Sequence, residues 1–385
     1  MPLYLIFAIA FLGFTCIAAA RVVLSLYALE LGAHPFAIGV LVAMFYACPL
    51  LLSWPMGRLS DRVVPRWPLL VGAMCGVCGM AVPYFVRELW ALYVAAAMSG
   101  LALSILHVNA QNLVGILSGP SEHMRNFSNF SMMGAATNFV GPLVAGLAID
   151  HTSHAIACLF VVAIWLMSCG LILWRGKVLP KSKRPTGPRI HIRETLSDRR
   201  IWRMLTTSSL AQLGPDVFQF YVPIHGHAVG LSATAIGAVL SAFAVATVAV
   251  RSVLSRLVGR FGDEKLLAYS FYLGGAALVL VPFCHSALLL TVVSFLFGCG
   301  MGCGQPITLM LMYSQSPPGR SGETLGLRLT ANNLMRVLGP AVFGSVGSAF
   351  GLLAVFWINA VVMGGAGALA YPHKKPPANP GAGLQ

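Results

Sequence analysis

Acidic residues are scarce in this chain: 11 of 385 positions are Asp or Glu, and all charged residues together make up 9%, where ordinary soluble domains carry roughly 25%. So little charge excludes a water-soluble exterior. Also missing are His-Glu-x-x-His, Gly-x-Ser-x-Gly and a phosphate-cradling glycine-rich loop leading to Lys. No enzyme and no cofactor is therefore expected. Cysteine is present nine times, almost wholly inside apolar runs, and Cys75 with Cys78 or Cys299 with Cys303 reads as small packing residues rather than ligands or disulfides.

What the chain has instead is 57% hydrophobic residues, gathered in long runs. A spanning helix needs about 20 apolar residues, because 1.5 Å of rise per residue must cross ~30 Å of hydrocarbon. Runs of that length fall at 3–28, 37–56, 68–86, 89–115, 127–149, 155–174, 202–228, 233–255, 265–283, 287–313, 325–347 and 350–370, which predicts twelve spans in an all-α membrane protein. Ala18-Ala19-Ala20 resembles a signal-peptide cleavage site, but no basic stretch precedes it, so the first span is expected to stay.

The net charge of +14 would mark a nucleic-acid surface in a soluble protein. Here its distribution has a topological reading, and no nucleic-acid partner is expected. Alternate loops hold Arg58, Arg62 and Arg66; Arg125; the run from Arg175 to Arg203; Arg256, Arg260 and Lys265; Arg320; and Lys374 with Lys375. The opposite loops hold one basic residue, Arg87, with Glu30, His34, Glu88, Asp150, His151, His154, His225, His227 and His285. By the positive-inside rule both termini are cytoplasmic, in an inner or cytoplasmic membrane.

Sliding the chain against itself gives a register of 198 residues. Gly32 falls on Gly230, Ile38-Gly39 on Ile236-Gly237, Phe45 on Phe243, Arg58-Leu59 on Arg256-Leu257, Arg62 on Arg260, Gly100 on Gly298, and Gly141-Pro142 on Gly339-Pro340. The halves read as copies: six spans in 1–174, a basic connector in 175–200 with Pro180, Pro185 and Pro188, six spans in 201–370, and a disordered tail in 371–385.

Gly57, Leu59, Ser60, Asp61, Arg62 and Arg66 then resemble the loop signature of the major facilitator superfamily, Gly-x-Leu-Ser-Asp-Arg-x-Gly-Arg-Arg, with Val64 and Pro65 as departures and a degenerate copy at Arg256 and Arg260. The resemblance covers the whole chain. It implies two pseudo-symmetric six-helix halves working by alternating access, as a monomer in the bilayer. It also implies that Asp61 latches the halves together at the cytoplasmic face, giving gating roles to Gly57, Asp61, Arg62 and Arg66. The fifth span, Thr137 to Gly146, is similar to the Gly-Pro motif of proton antiporters in that family, so Gly141, Pro142, Gly339 and Pro340 join the gating set. Thr137 and Ala145 replace glycines of that motif, Ala96 stands where the family's fourth-span Arg is expected, and the first span lacks the acid that multidrug cation exporters often place there.

Charges deep in a span are costly and face a cavity or a partner. Arg21, His107, Asp216 and Arg336 are such positions; Arg251 and Arg328 lie nearer span ends, where a long side chain can snorkel to water. Helical spacing aligns Gln212, Asp216, Gln219 and Pro223; Ser104, His107 and Gln111; Ser131 with Asn138; and Arg328, Asn332 and Arg336. With Gln305 these stripes predict a hydrated central cavity whose substrate contacts are Arg21, His107, Gln111, Asn138, Gln219, Gln305, Asn332 and Arg336. Arg21 maps onto Gln219 and Arg336 onto Asn138, so each arginine has a neutral counterpart across the pseudo-symmetry axis. An excess of guanidinium over carboxylate favours an anionic solute; the alternative is a structural Asp216–Arg21 salt bridge and a neutral or cationic solute.

A buried carboxyl loads a proton more readily than a solvated one, which makes Asp216 the first candidate for proton coupling and His107 the second. The expected function is a proton-coupled secondary transporter of a small organic anion, with export favoured. Open alternatives are a symporter importing a carboxylate nutrient, a drug exporter, and a metal-ion pump suggested by His151, His154, His225 and His227, although no ligand cluster lies inside the cavity.

Overall fold

The computed structural model describes residues 2–33, 35–180, 199–317 and 319–371. The connector at 175–200 thus lies mostly, and the tail at 371–385 almost wholly, outside the described residues, as does His34. The described chain is helical, as a bilayer demands: no water is available there to satisfy the backbone, so each segment must bond internally. The elements are α1 (Pro2–Glu30), α2 (Pro35–Ser60), α3 (Arg66–Phe85), α4 (Leu89–Leu117), α5 (His123–His151), α6 (His154–Arg175), α7 (Arg199–Ala228), α8 (Ala233–Phe261), α9 (Asp263–Leu280), α10 (Ala287–Met301), α11 (Gly304–Ser314) and α12 (Ser321–Ala370).

Span counting needs two adjustments. The tenth span is broken into α10 and α11 at Gly302 and Cys303, whereas its counterpart α4 runs unbroken. The last two spans form α12, in which Gly351 adopts φ 81 and ψ 172; this left-handed, non-helical residue divides α12 into two arms. Among the described residues ten segments are long and apolar enough to cross a membrane on composition alone. The two that fail are α7 and the first arm of α12, the helices diluted by Gln212, Asp216, Arg328, Asn332 and Arg336.

The 198-residue register is visible in three dimensions. Gly32 and Gly230, just past the ends of α1 and α7, both take positive φ, at 75° and 80°, the left-handed stop that glycine permits. Lipid tails are as apolar as Leu, so helices associate through close packing at small residues. A Cβ on Gly100 would overlap the Phe45 carbonyl oxygen between α4 and α2, and a Cβ on Gly298 would meet that of Phe243 between α10 and α8. Two buried cores result. One runs from Ile6 to Leu205 with Leu309, Met312, Leu325 and Leu327 added from the second half; the other takes Ala211 to Ala370 with Met124.

Candidate central cavity and latch

Two glycines lie where the helices carrying the candidate site residues meet. A Cβ on Gly141 would lie 2.9 Å from the Ala19 nitrogen and from the Thr15 carbonyl oxygen, and one on Gly339 would lie 2.7 Å from Leu213 Cδ1. Glycine is required for the approach of α5 to the α1 backbone, whereas at Gly339 the near atom is the movable end of the Leu213 side chain. One helical turn earlier stand Asn138 and Arg336, so each glycine delivers the polar residue before it to the partner helix. In the first half Arg21 donates to Tyr46 Oη at 2.9 Å and to Asn138 Oδ1 at 3.0 Å. In the second half Arg336 Nε meets Asp216 Oδ2 at 3.3 Å, with both side chains about a third exposed at 36% and 34%. The Asp216–Arg21 bridge considered from sequence is therefore replaced by an Asp216–Arg336 pair, because the glycine contact brings α12 rather than α1 to the carboxylate.

The pair is one end of a continuous chain. Gln212 Nε2 donates to Asp216 Oδ1 at 2.8 Å, Gln305 Nε2 donates to Gln212 Oε1 at 2.8 Å, and Arg328 Nη2 donates to Gln305 Oε1 at 2.7 Å. Two amides, oriented head to tail, thus link two guanidiniums to one carboxylate. Arg328 is 1% exposed and does not snorkel as its place near a span end predicts, because Gln305 and Thr308 on α11 receive it inside the half. Arg251 does not snorkel either. It donates to the Gly302 carbonyl at the α10–α11 break and, across the halves, to that of Ser131.

The remaining cavity residues divide. His107 packs edge-on against Phe14 at 5.2 Å and tilted to Phe130 at 6.4 Å, and the charges whose fields reach its ring are Arg336 and Arg328. Gln111 is 3% exposed, with Oε1 unpaired. Asn332 is turned into the α7 contact, accepting from Ser208 and Ser209. Gln219 is exposed. Sequence reasoning missed Tyr46 and left Gln212 and Arg328 out of the contact set. The one available signal was the helical line from Arg328 through Asn332 to Arg336.

The halves meet beyond the cavity, at the end carrying the α2–α3 turn. Asp61 is 2% exposed. Its Oδ1 and Oδ2 accept the Gly322 and Glu323 N–H groups, both at 2.8 Å, and Oδ1 also accepts from Asn112 at 3.2 Å. Those N–H groups belong to the first turn of α12, which has no intrahelical acceptor for them, and the carboxylate also complements the positive end of the helix dipole. Burial pushes the Asp61 carboxyl up to about 6 against the pull of those donors, with the Glu323 carboxylate adding to the rise. Arg58 pairs with Glu323 at 2.7 Å and stacks over Trp54.

Backbone contact makes this approach possible. A Cβ on Gly57 would overlap the Gly322 carbonyl oxygen, and one on Gly326 that of Ser53, so paired small residues one turn apart form the α2–α12 seam. The pseudo-symmetric seam joins α5 and α8 at the matching positions, where Ser128 Oγ donates to the Arg251 carbonyl at 2.7 Å. Tyr313 fills the space over Gly115 and packs on His123 and Phe127 at 5.2 and 5.6 Å. Arg66 turns away from the latch to the Leu173 carbonyl at 3.2 Å, and Arg62 is exposed. Pro142 and Pro340 follow their glycines within α5 and α12.

A helical bundle with a 198-residue internal repeat, a chain of hydrogen-bonded polar side chains among its inner helices and a buried carboxylate joining its halves at one end matches one family. The model of the Major Facilitator Superfamily covers residues 3–340 and matches again over 210–384. The chain belongs to the major facilitator superfamily. It is a multi-pass membrane transporter. Its relatives include the multidrug resistance protein MdtG of Salmonella typhimurium, 24% identical over 318 residues that cover 80% of this chain and 78% of MdtG. Among solved structures it is similar to the human organic anion transporter MFSD10, with TM-score 0.80, 15% identity and coverage of 96% and 100%. It is also similar to a bacterial homologue of the iron transporter ferroportin in an outward-facing state, with TM-score 0.78, 16% identity and coverage of 96% and 97%. Among the described residues no three His, Cys, Asp or Glu side chains come together as metal ligands.

Proposed function

We propose that this superfamily member exports a small organic anion in exchange for protons, working as a monomer in the inner membrane with both termini in the cytoplasm. The observation that carries the reading is the charge count among the candidate cavity residues: Arg21 and Arg336 against Asp216 alone, with Arg21 donating to neutral acceptors. A guanidinium spent on Tyr and Asn keeps its full charge for a carboxylate, phosphate or sulfonate. Asp216, partly exposed and bonded to Arg336, is the candidate coupling carboxylate beside that guanidinium. Kinship with a protein named for multidrug resistance supports export. The absence of an acid within the apolar run 3–28 argues against cations as the cargo. MFSD10, at 15% identity, lends the fold and not the substrate.

With the latch end placed in the cytoplasm, the closed seams leave the cavity accessible from outside. The experiment is a panel of organic anions and cations in proteoliposomes under an imposed pH gradient. Efflux of anions against an inward proton gradient is expected, and lost in Asp216→Asn. Gradient-driven flux of cations alone would refute the reading; anion uptake together with protons would replace export by import of a carboxylate nutrient.

A further inference from the structure

We propose that Arg328 holds an anion of its own, separate from the one placed at Arg336, supplied either by a second anionic group of the transported solute or by a small inorganic anion such as chloride. The inference deepens the anion reading above and rests on it only where the solute is the source. Arg328 is 1% exposed, in a bundle whose surroundings are lipid. Among the described residues no carboxylate pairs with it. Nη2 is spent on Gln305 Oε1 and Thr308 Oγ1, at 2.7 and 3.3 Å, and Nε has no partner at all.

The nearest route to compensation runs through two neutral amides, Gln305 and Gln212, to Asp216, whose other oxygen already faces Arg336. One carboxylate thus serves two guanidiniums, and one positive charge is left over. The groups around it do not supply an anion: α11 presents Gln305 and Thr308, α12 presents Arg336, and His107 on α4 lies within the field of both arginines. One turn along α4 from His107, Gln111 is equally buried, with an unpaired acceptor. A buried ion without a counter-ion is strongly disfavoured, and the free Nε–H edge of a guanidinium suits a carboxylate oxygen or a halide.

Arg328 lies eight residues from Arg336, about 12 Å along the helix at 1.5 Å per residue, and five from Glu323, about 7.5 Å. Arg336 is 36% exposed and Arg328 1%, so the two guanidiniums stand in series along α12, one open and one buried against α11.

The test uses the full-length transporter in lipid nanodiscs, with equilibrium binding of radioactive chloride in gluconate medium and, separately, of matched dicarboxylates and monocarboxylates. If the occupant is inorganic, saturable chloride binding weakens roughly tenfold or more in Arg328→Gln and less in Arg328→Lys, as expected for loss of a charged hydrogen-bond partner. If it is the solute's second group, chloride does not bind, and dicarboxylates outbind monocarboxylates by a margin that disappears in Arg328→Gln. Should that variant fail to fold, Arg328→Lys keeps the charge but not the planar fork, and a several-fold weakening is expected. Unchanged chloride binding and unchanged dicarboxylate preference in the folded Arg328 variants overturn the inference. Anion binding lost in Arg21→Gln and Arg336→Gln but normal in the Arg328 variants overturns it while leaving the cavity reading intact; the opposite pattern overturns the cavity reading alone.

Discussion

α1 and α7 hold equivalent places in the two halves, yet they solve the same electrostatic problem differently. In the first half a guanidinium on the long helix reaches a neutral amide, Arg21 to Asn138; in the second the guanidinium sits on the partner helix, and Arg336 reaches a carboxylate on α7. The scaffold is shared, since Gly141 and Gly339 bring each helix pair together at the same register. The charge is not shared. One half therefore carries a guanidinium bonded to neutral partners, and the other a guanidinium–carboxylate pair. Duplicated packing with unduplicated charge is how a symmetric bundle acquires a chemically asymmetric site.

The largest expected effect comes from breaking the shared scaffold. Gly141→Leu forces a side chain into the α1 backbone, at a cost of about 1 to 3 kcal/mol or more, and Gly339→Leu displaces the Leu213 side chain; both should reduce transport and lower the thermal midpoint in nanodiscs, the first more than the second. A variant that transports normally would show that the helix approach does not position the polar pairs.

Next in size is the titratable pair. Asp216→Asn should reduce pH-gradient-driven flux by roughly tenfold or more, since it removes the carboxyl at the second-half site, while leaving the fold largely intact, because a pair a third exposed adds little stability. Arg21→Gln should instead weaken anion binding and spare the proton dependence, which separates the two halves' roles.

The latch contrasts in the same way with its counterpart. Asp61 falls on Gly259 in the 198-residue register, so the α2–α12 seam is closed by a carboxylate on a helix start and the α5–α8 seam by a guanidinium on carbonyls. Asp61→Ala leaves two first-turn N–H groups without acceptors, and should shift the equilibrium toward opening at that end by roughly five- to thirtyfold, about 1 to 2 kcal/mol. Cross-linking of cysteines placed in α2 and α12 reads the shift. Closure should also respond to pH. Because the Asp61 carboxyl is raised to about 6 in the closed seam from the ordinary 3.8, its contribution to closure is fullest below the ordinary value and declines as pH rises through about 6. Asp61→Ala should flatten that dependence. The smallest effect belongs to Ser128→Ala, which removes one hydrogen bond from the other seam and should cost about 1 kcal/mol, seen as a shift of a few-fold in the same cross-linking assay.

Much of this was readable in the sequence, for physical reasons. Bilayer thickness fixes span length, so twelve runs could be counted, and a repeat that keeps Gly, Pro and Arg in one register exposes the two halves. Helical periodicity put Asp216 and Arg336 on polar stripes of their helices, and the two side chains meet. Pairing was not readable, because it depends on how closely two helices approach; the Arg336 partner of Asp216 follows from Gly339, a contact whose meaning appears only in three dimensions. The burial of Arg328 was hidden likewise. Distance from a span end predicts snorkelling, but Gln305 on another helix decides otherwise. The donors to Asp61 were invisible too, since they are backbone N–H groups of Gly322 and Glu323, which no side-chain pattern marks.

The central claim is that the cavity is an anion site set by unequal charge in equal scaffolds. Equilibrium binding of an organic-anion panel to the wild-type transporter and to the Arg21→Gln and Arg336→Gln double variant tests it most directly. The account predicts binding to the wild type that weakens by roughly two orders of magnitude in the double variant, the loss of two charged contacts; binding that survives both substitutions within a factor of two or three would contradict it.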